Sequence, residues 1–163
     1  MQRIKYEEDA IMSSQFKLSA GYKDKIIESF NRQGVMKTLN TSILAIRSGE
    51  MELEFLYQSN LTQQHGFIHA GIVSTVLDTA CGYAAFSLMP ENAAVLTIEF
   101  KVNLLSPAKG DRFRAVGKVK KPGKNITVTE GELFSHEEGG QKLVATMVAT
   151  IMSVYDREGI ENY

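Results

Sequence analysis

The sequence predicts an α+β fold, in which a sheet of about six mostly antiparallel strands wraps around one long apolar helix. The first observation is a run of small and apolar side chains over about 70–88. The second is the order of the elements: a short helix and two strand-like runs precede the long helix, and four strand-like runs follow it. A helix with almost no polar face needs cover on nearly every side, and a curled sheet supplies much of it. The 163 residues, 44% of them hydrophobic, fit one globular domain.

The charge balance gives the chain no electrostatic reason to bind nucleic acid or an anionic membrane. There are 18 basic and 19 acidic residues, so the formal net charge is −1. Cys81 is the single cysteine, which excludes an intramolecular disulfide and suits a reducing compartment. The N-terminal segment has no apolar run of signal-peptide length, and the long apolar run is too polar for a membrane span because it contains Asp78 and several hydroxyls. We therefore predict a cytoplasmic protein with no membrane or nucleic-acid partner.

The segment YKDKIIESFNRQG predicts a short amphipathic helix that covers part of the fold. Its apolar face consists of Tyr22, Ile26, Ile27 and Phe30. Gly34 is a typical residue to end such a helix. We therefore divide the chain into an N-terminal helical extension at 1–34, a main domain at 35–156 and a C-terminal tail at 157–163.

Two strand-like runs come next, TSILAIR and EMELEFLY, and Ser48 and Gly49 join them. Apolar and acidic residues alternate in the second run, which predicts a hairpin with one face in the core and one in water. The residues expected on the core face are Met51, Leu53, Phe55 and Tyr57.

Four further strand-like runs follow the long helix, with turn-forming segments between them. The first, AVLTIEFKVNLLS, alternates in polarity. Its apolar face is predicted to contain Leu96, Ile98, Phe100, Val102 and Leu104. Its polar face is predicted to contain Thr97, Glu99, Lys101 and Asn103. The other runs are DRFRAVGKVK, NITVTEGELFS and KLVATMVATIMSVY, and the last is apolar on both faces, as expected inside a sheet.

Asp78 is the one ionisable residue other than Cys81 and Tyr83 in the long apolar run. A buried carboxylate without a partner costs several kcal/mol, so its presence needs an explanation. One explanation is a narrow exposed strip, or a hydrogen bond from Ser74, Thr75 or Tyr83. The other is a catalytic carboxylate in a cleft, where low polarity raises its pKa toward neutral pH.

The stretch HAGIVSTVLDTACGYAA resembles the signature of hotdog-fold thioesterases of the phenylacetyl-CoA thioesterase-like (PaaI-like) group. That signature is H-G-G, six residues and then D, and His69, Gly71 and Asp78 match it. The segment LTIEFKVNLLSPA is similar to the strand and turn that follow the helix in this family, and the resemblance spans Thr38 to Val154. It implies a hotdog fold, thioesterase activity for the domain at 35–156, and hydrolysis of acyl-CoA to free acid and CoA.

The resemblance also implies a set of catalytic residues. It puts the oxyanion donor at the backbone N–H of Ala70, beside Gly71, although the family usually has glycine at 70. Asp78 is implied as general base or nucleophile, two roles that the sequence leaves open. Seven residues, about 10 Å of helix, separate Gly71 from Asp78. The implied active site is therefore shared between two chains, in a homodimer or a dimer of dimers (homotetramer).

Further residues take implied roles around this centre. Gln63 stands where the family commonly has an asparagine that orients the thioester or water, and Gln64 is an alternative. Thr97 corresponds to a hydroxyl that steadies the water, and His69 orders the loop and helix start. The turn that holds the nucleotide end of CoA corresponds to Lys120, Lys121, Gly123, Lys124 and Asn125. We expect no metal and no cofactor, since coenzyme A is part of the substrate.

Two other functions remain as alternatives. A hotdog hydratase or dehydratase would need a histidine and a partner carboxylate at the acyl chain, and the sequence shows no evident second group for His69. A non-catalytic acyl-CoA-binding sensor would gain nothing from Asp78, because a site that only binds an anionic thioester does not benefit from a buried negative charge. The acyl chain that the protein prefers does not follow from the sequence.

Overall fold

The computed structural model describes residues 21–137, 140–155 and 159–160, so much of the predicted extension at 1–34 and of the tail at 157–163 lies outside the described residues. The helices are α1 (Tyr22–Arg32), α2 (Gly34–Thr38) and α3 (Ala70–Phe86), with a 3-10 turn at Ser59–Leu61. The strands are β1 (Ser42–Arg47), β2 (Glu50–Leu56), β3 (Ala93–Leu104), β4 (Arg112–Lys121), β5 (Ile126–Glu137) and β6 (Gly140–Tyr155).

The strands form a six-stranded sheet in the order β1-β2-β4-β5-β6-β3, and every pairing is antiparallel. The helix α3 packs against all of these strands except the outer strand β1. The predicted α+β architecture, a sheet wrapped around one long apolar helix with helices before it, is confirmed. The sheet leaves two edges, β1 and β3, and β3 is the edge beside Asp78.

A pair of glycines lets α3 lie directly on the sheet. Gly117 of β4 and Gly131 of β5 face each other in the ladder. A Cβ at Gly117 would lie 2.6 Å from the backbone nitrogen of Cys81, and a Cβ at Gly131 would lie 2.8 Å from the Cys81 sulfur. Real side chains do not tolerate such distances. The glycine pair therefore sets how closely the helix approaches the sheet.

The helix α1 covers the C-terminal half of α3, as the sequence predicted for a cover. Its buried residues are Ile26 and Phe30, whereas Ile27, predicted for the same face, is exposed. The hydroxyl of Tyr83 on α3 contacts the Ser29 hydroxyl at 3.0 Å and accepts a hydrogen bond from the Gln33 amide at 3.2 Å. The helix α1 ends at Arg32, just before Gly34 as predicted, and the short helix α2 begins at Gly34.

The hairpin of β1 and β2 has the predicted two faces. Met51, Leu53 and Phe55 are buried, but Tyr57 lies past the end of β2 and is 43% exposed. On the other face, Glu52 forms ion pairs with Arg47 and Arg114. The turn between the strands is tied to the end of α3, since the Gly49 N–H donates to the buried Ser87 hydroxyl at 2.7 Å.

A β-bulge in β3 overturns the predicted placement of Thr97. Thr97 pairs with Ile151 while Glu99 pairs with Thr150, so Ile98 is the extra residue. Opposite residues of an antiparallel pair point to the same face, and Ile151 is buried in the core. Thr97 therefore faces the helix, although the sequence pattern placed it on the polar face.

Candidate active site

Asp78 lies on the part of α3 that neither α1 nor the sheet covers completely, and it is half-buried. The Thr97 hydroxyl donates a hydrogen bond of 2.8 Å to Asp78 Oδ1. Burial raises the pKa of the Asp78 carboxyl above its usual range, and the Thr97 hydrogen bond offsets part of this rise. The arrangement holds a carboxylate of increased basicity in one orientation, as a general base or nucleophile requires.

The three hydroxyl groups that the sequence suggested as hydrogen-bond donors to Asp78 form hydrogen bonds with other groups. The hydroxyls of Ser74 and Thr75 donate to the carbonyl oxygens one turn earlier, those of Ala70 and Gly71, at 2.9 and 2.8 Å. The Tyr83 hydroxyl bonds to α1. The explanation of Asp78 by a bond from one of these three residues is therefore wrong, and Thr97 takes that place.

His69 is the N-cap of α3. Its Nδ1 accepts the Gly71 N–H at 2.9 Å, and its carbonyl accepts the N–H groups of Ile72 and Val73 at 2.9 and 3.2 Å. A Cβ at Gly71 would stand 3.0 Å from that Nδ1, so glycine at this position leaves room for the imidazole cap. The structural role of His69, in ordering the loop and helix start, is the one visible in the geometry.

The Ala70 N–H is the helix-start donor that the cap leaves free. Within the described ranges no group accepts a hydrogen bond from it, because His69 binds the N–H of Gly71 instead. Ala70 does not adopt a positive φ, so its methyl group causes no backbone strain. A free N–H at a helix N-terminus is suited to stabilise a developing oxyanion.

The free N–H and the carboxylate are far apart within one chain. Ala70 and Asp78 are separated by eight residues of continuous helix, about 12 Å along the axis. One carbonyl group cannot contact both at once.

An apolar cavity of about 480 Å³ opens at this helix start. Gln63, Ala70 and Val73 line one side, and the end of β3 with the segment after it, from Leu104 to Ala108, lines the other. The Gln63 side-chain oxygen accepts a hydrogen bond from the backbone N–H of His65, so the amide belongs to the loop that borders the cavity. Gln64 is exposed and contacts the His65 ring at 3.4 Å. The structure thus brings Gln63, Ala70 and Gly71 together and leaves Asp78 and Thr97 as a separate pair.

The turn assigned to the nucleotide lies at the other end of α3. Lys120 pairs with Glu130 at 3.4 Å, and Gly123 and Lys124 line a cavity of about 310 Å³ beside Ala85 and Met89. Lys121 and Lys124 have no ion pair among the residues that the structure describes. The backbone carbonyl of Asn125 accepts the Ser153 N–H at 2.8 Å, which fixes the turn to β6.

The Cys81 thiol takes no visible part in chemistry. Burial raises the pKa of the Cys81 thiol to about 12, so it is not a thiolate at neutral pH.

In the described part of the chain, no cluster of His, Cys, Asp and Glu could hold a metal ion, and no helix is long and apolar enough to cross a membrane. Sequence reasoning named Gln63 and Ala70, which line the 480 Å³ cavity, and missed Phe67, whose only signal was its position between the two loop histidines.

Known proteins match this fold and this segment. A model of the thioesterase superfamily matches residues 65–141, which include α3 and Thr97. The crystal structure of a thioesterase family protein from Silicibacter pomeroyi is 54% identical, covers 83% of this chain and 99% of that chain, and superimposes with a TM-score of 0.82.

Two further proteins extend the comparison. The PaaI protein of the Escherichia coli phenylacetic acid degradation operon shares the fold, with a TM-score of 0.75 at 22% identity over 85% of this chain and 96% of that one. The medium/long-chain acyl-CoA thioesterase YigI of Escherichia coli is 26% identical over 98 residues, which are 52% of this chain and 61% of that protein. The 54% identity to the Silicibacter pomeroyi protein, over 99% of that chain, confirms the family that the sequence predicted: this chain belongs to the thioesterase superfamily and is an enzyme of the hotdog-fold thioesterase type.

Proposed function

We propose that the protein hydrolyses acyl-CoA thioesters to a free acid and CoA, at an active site shared between two copies of the chain. The observation that carries this proposal is the Asp78 carboxylate, half-buried and held by Thr97, on the same helix whose first N–H, that of Ala70, is free. The name of the similar protein YigI, an acyl-CoA thioesterase, supports the choice of substrate.

The reaction follows from the chemistry of these groups. The thioester oxygen accepts the Ala70 N–H, which stabilises the negative charge that forms when the carbonyl carbon is attacked. Asp78 of the other subunit takes a proton from water as the water oxygen attacks, and the C–S bond then breaks. The departing CoA sulfur takes up the proton, which leaves a free acid and a thiol. In the second route, the Asp78 carboxylate attacks the carbonyl carbon, the C–S bond breaks and CoA leaves as the thiolate. Water then hydrolyses the anhydride to the free acid and the Asp78 carboxylate, and the released proton protonates the CoA thiolate.

The edge strand β3 supports the two-chain site. Its residues Ile98 and Phe100 are 52% and 45% exposed within one chain, next to Thr97. An unpaired strand edge with apolar side chains is suited to pair with another strand. A two-fold axis beside β3 would set two α3 helices antiparallel, with Asp78 of each facing Ala70 of the other. A dimer of dimers and a cytoplasmic location stay predictions.

Lys121 and Lys124 are the groups that we assign to the phosphates of CoA, with Lys120, Gly123 and Asn125 shaping the turn. Lys121 and Lys124 carry charge that no described ion pair neutralises, and Gly123 has room for no Cβ because the Ile126 carbonyl occupies that space. Charged ammonium groups on a fixed turn attract phosphate without needing a defined geometry.

The same contacts argue against the two alternative functions, a hydratase or dehydratase and a non-catalytic sensor. A hydratase would need His69 as a proton-transfer group, but its Nδ1 is occupied as the acceptor of the helix cap. A sensor would not need a carboxylate whose burial raises its pKa, because that residue destabilises the fold and repels an anionic ligand.

The test is subunit complementation. Asp78→Asn removes the base, and Ala70→Pro removes the N–H at the first helical position, where proline is well tolerated. We expect each variant alone to release CoA thiol from acyl-CoAs at least ~100-fold more slowly than the wild type. When the two are unfolded and refolded together, about half of the dimers are mixed and each has one intact site, so about a quarter of the wild-type activity should return.

Each outcome decides one part of the proposal. Full loss in both variants without recovery in the mixture would place the site within one chain. Undiminished turnover in Asp78→Asn would remove the carboxylate from the mechanism. If the wild type binds acyl-CoA but releases no thiol, the sensor becomes the better account.

A further inference from the structure

The cavity of about 480 Å³ at the start of α3 is lined by apolar side chains and by Ala70 itself. We propose that this cavity holds the acyl group of the substrate, and that Phe67 is the residue that limits its length and excludes charged acyl tails. The inference rests on the proposed thioester hydrolysis. It adds the substrate class: uncharged, apolar acyl groups of medium size.

The position of the cavity fits an acyl group because its wall includes the oxyanion donor. A carbonyl oxygen bound at the Ala70 N–H would direct its substituent into the space between α3 and the segment after β3. Val73 and Val144, which are 2% and 1% exposed, form the floor of that space. Val144 is the extra residue of a β-bulge in β6, and its carbonyl accepts the N–H groups of Leu105 and Ser106 at 2.9 and 3.3 Å, which fixes the opposite wall.

The lining of this cavity has few side chains that could form hydrogen bonds with a polar ligand. Its polar side chains are Gln63 and Ser106, and the Gln63 oxygen is already engaged by the backbone of His65. A pantetheine arm carries two amides that would lose their hydrogen bonds to water here without gaining replacements. An alkyl or phenyl group loses none. A group the size of a water molecule or a methylene takes up ~30 Å³, so the cavity has room for about sixteen of them. An acetyl group would fill only a small part of this volume.

Phe67 separates this cavity from a charged groove. The groove has a volume of about 730 Å³ and is lined by Lys109, Asp111, Glu137 and Lys142. Phe67 and Pro107 line both spaces, so these two residues lie between them, and Phe67 has the larger side chain. With the ring present, an acyl chain ends against an apolar surface. Without it, a longer chain or a terminal carboxylate would reach the lysines of the groove.

The competing location is the cavity of about 310 Å³ at the other end of α3, next to Leu88 and the Lys124 turn. Asp78 and Ala70 do not line it. Its nearest helical residue, Ala85, is seven residues, or about 10 Å, from Asp78. A substitution there gives a matched control for changes in volume.

The experiment compares three variants on acetyl-, hexanoyl-, decanoyl-, phenylacetyl- and adipoyl-CoA. Val144→Phe fills the floor, Phe67→Ala removes the wall and Leu88→Phe narrows the control cavity. We expect Val144→Phe to lower kcat/KM for decanoyl- and phenylacetyl-CoA at least about tenfold relative to acetyl-CoA. Phe67→Ala should raise kcat/KM for decanoyl- and adipoyl-CoA relative to hexanoyl-CoA. Leu88→Phe should leave the relative kcat/KM values of the five substrates unchanged. Circular dichroism and the Tm report whether each variant is folded.

A second measurement separates this inference from the proposed hydrolysis. Calorimetry gives the Kd of S-ethyl-, S-hexyl- and S-decyl-CoA thioethers, which cannot be hydrolysed, for each variant. Weaker binding of the S-decyl compound alone in Val144→Phe supports the acyl pocket even if the wild type shows no turnover. An equal loss for all three thioethers would mean that the cavity holds the pantetheine arm, and a chain-length effect in Leu88→Phe would move the acyl group to the other end of α3. Either result overturns the inference.

Discussion

The Thr97 hydroxyl donates to Asp78 across 2.8 Å, from a strand position whose neighbours in sequence alternate as if Thr97 faced water. The β-bulge at Ile98 reverses the faces of the strand at this point, so that Thr97 and Phe100 both face the helix side. The bond is the one side-chain contact described for the Asp78 carboxylate. The bulge therefore orients the proposed catalytic group, and the edge strand and the active site are coupled.

Replacing Asp78 should stabilise the fold while it abolishes activity. Burial raises the pKa of Asp78, so the folded state favours the protonated form and loses stability as the pH rises through that pKa. Asp78→Asn removes this loss and keeps an acceptor for Thr97. We expect a higher Tm than the wild type at pH 7, with the difference shrinking below about pH 4, where the wild-type carboxyl is protonated as well. Thermal unfolding at both pH values checks this, and a lower Tm at pH 7 would contradict the assigned burial.

Thr97→Val should shift the pH profile of activity. The Thr97 hydrogen bond lowers the pKa of Asp78 against the effect of burial, so its loss leaves that pKa higher still. Because activity needs the carboxylate, the acid limb of kcat/KM should move to higher pH, and activity should approach the wild-type level above it. Thr97→Ser, which keeps the hydroxyl, should keep the wild-type profile. A uniform loss at every pH would mean that Thr97 acts on water or substrate and not through Asp78.

His69 variants separate helix capping from proton transfer. Asparagine is a good N-cap residue and alanine is not, so His69→Ala should cost about 1 kcal/mol of stability and His69→Asn much less. If His69 only orders the start of α3, His69→Asn should retain most of the kcat, while His69→Ala loses activity along with order at Ala70. Equal and large losses of kcat in both variants would show that the imidazole itself takes part in the reaction. Steady-state kinetics and denaturant unfolding supply both quantities.

Two glycine-to-alanine changes should have opposite effects on stability. A Cβ at Gly117 would lie 2.6 Å from the Cys81 nitrogen, so Gly117→Ala must push α3 off the sheet and should cost about 3 kcal/mol or more. A Cβ at Gly82, within α3, would meet nothing within 4 Å, so Gly82→Ala should gain up to about 1 kcal/mol from helix propensity. Urea unfolding measures both. A neutral Gly117→Ala would show that the helix can shift at little cost.

A charge on the β3 edge should dissociate the proposed dimer. Phe100→Asp places a carboxylate on the exposed apolar edge, where it would be buried if two β3 strands paired. We expect the chain to remain folded, to behave as a monomer in analytical ultracentrifugation and to lose thioesterase activity. Leu44→Asp is the matched control, because Leu44 is 47% exposed on the opposite edge strand β1. Unchanged association of Phe100→Asp would exclude β3 as the interface.

The sequence determined the main elements because their signals are local. The apolar run predicted α3, the alternation of Met51, Leu53 and Phe55 predicted the core face of β2, and the single charge in the apolar run singled out Asp78. The spacing of His69, Gly71 and Asp78 led to the family that the comparisons confirm. These features need no knowledge of which segments meet.

The tertiary structure decided the features that depend on contacts between distant segments. The partner of Asp78 is Thr97, 19 positions away, and only the bulge in the β3–β6 ladder turns it toward the helix. The cross-strand pair of Gly117 and Gly131 matters because α3 lies directly above it, and Phe67 matters because two cavities meet there. A one-residue register shift reverses the face of a strand, and a volume exists only between packed elements, so neither is encoded in any short segment of the sequence.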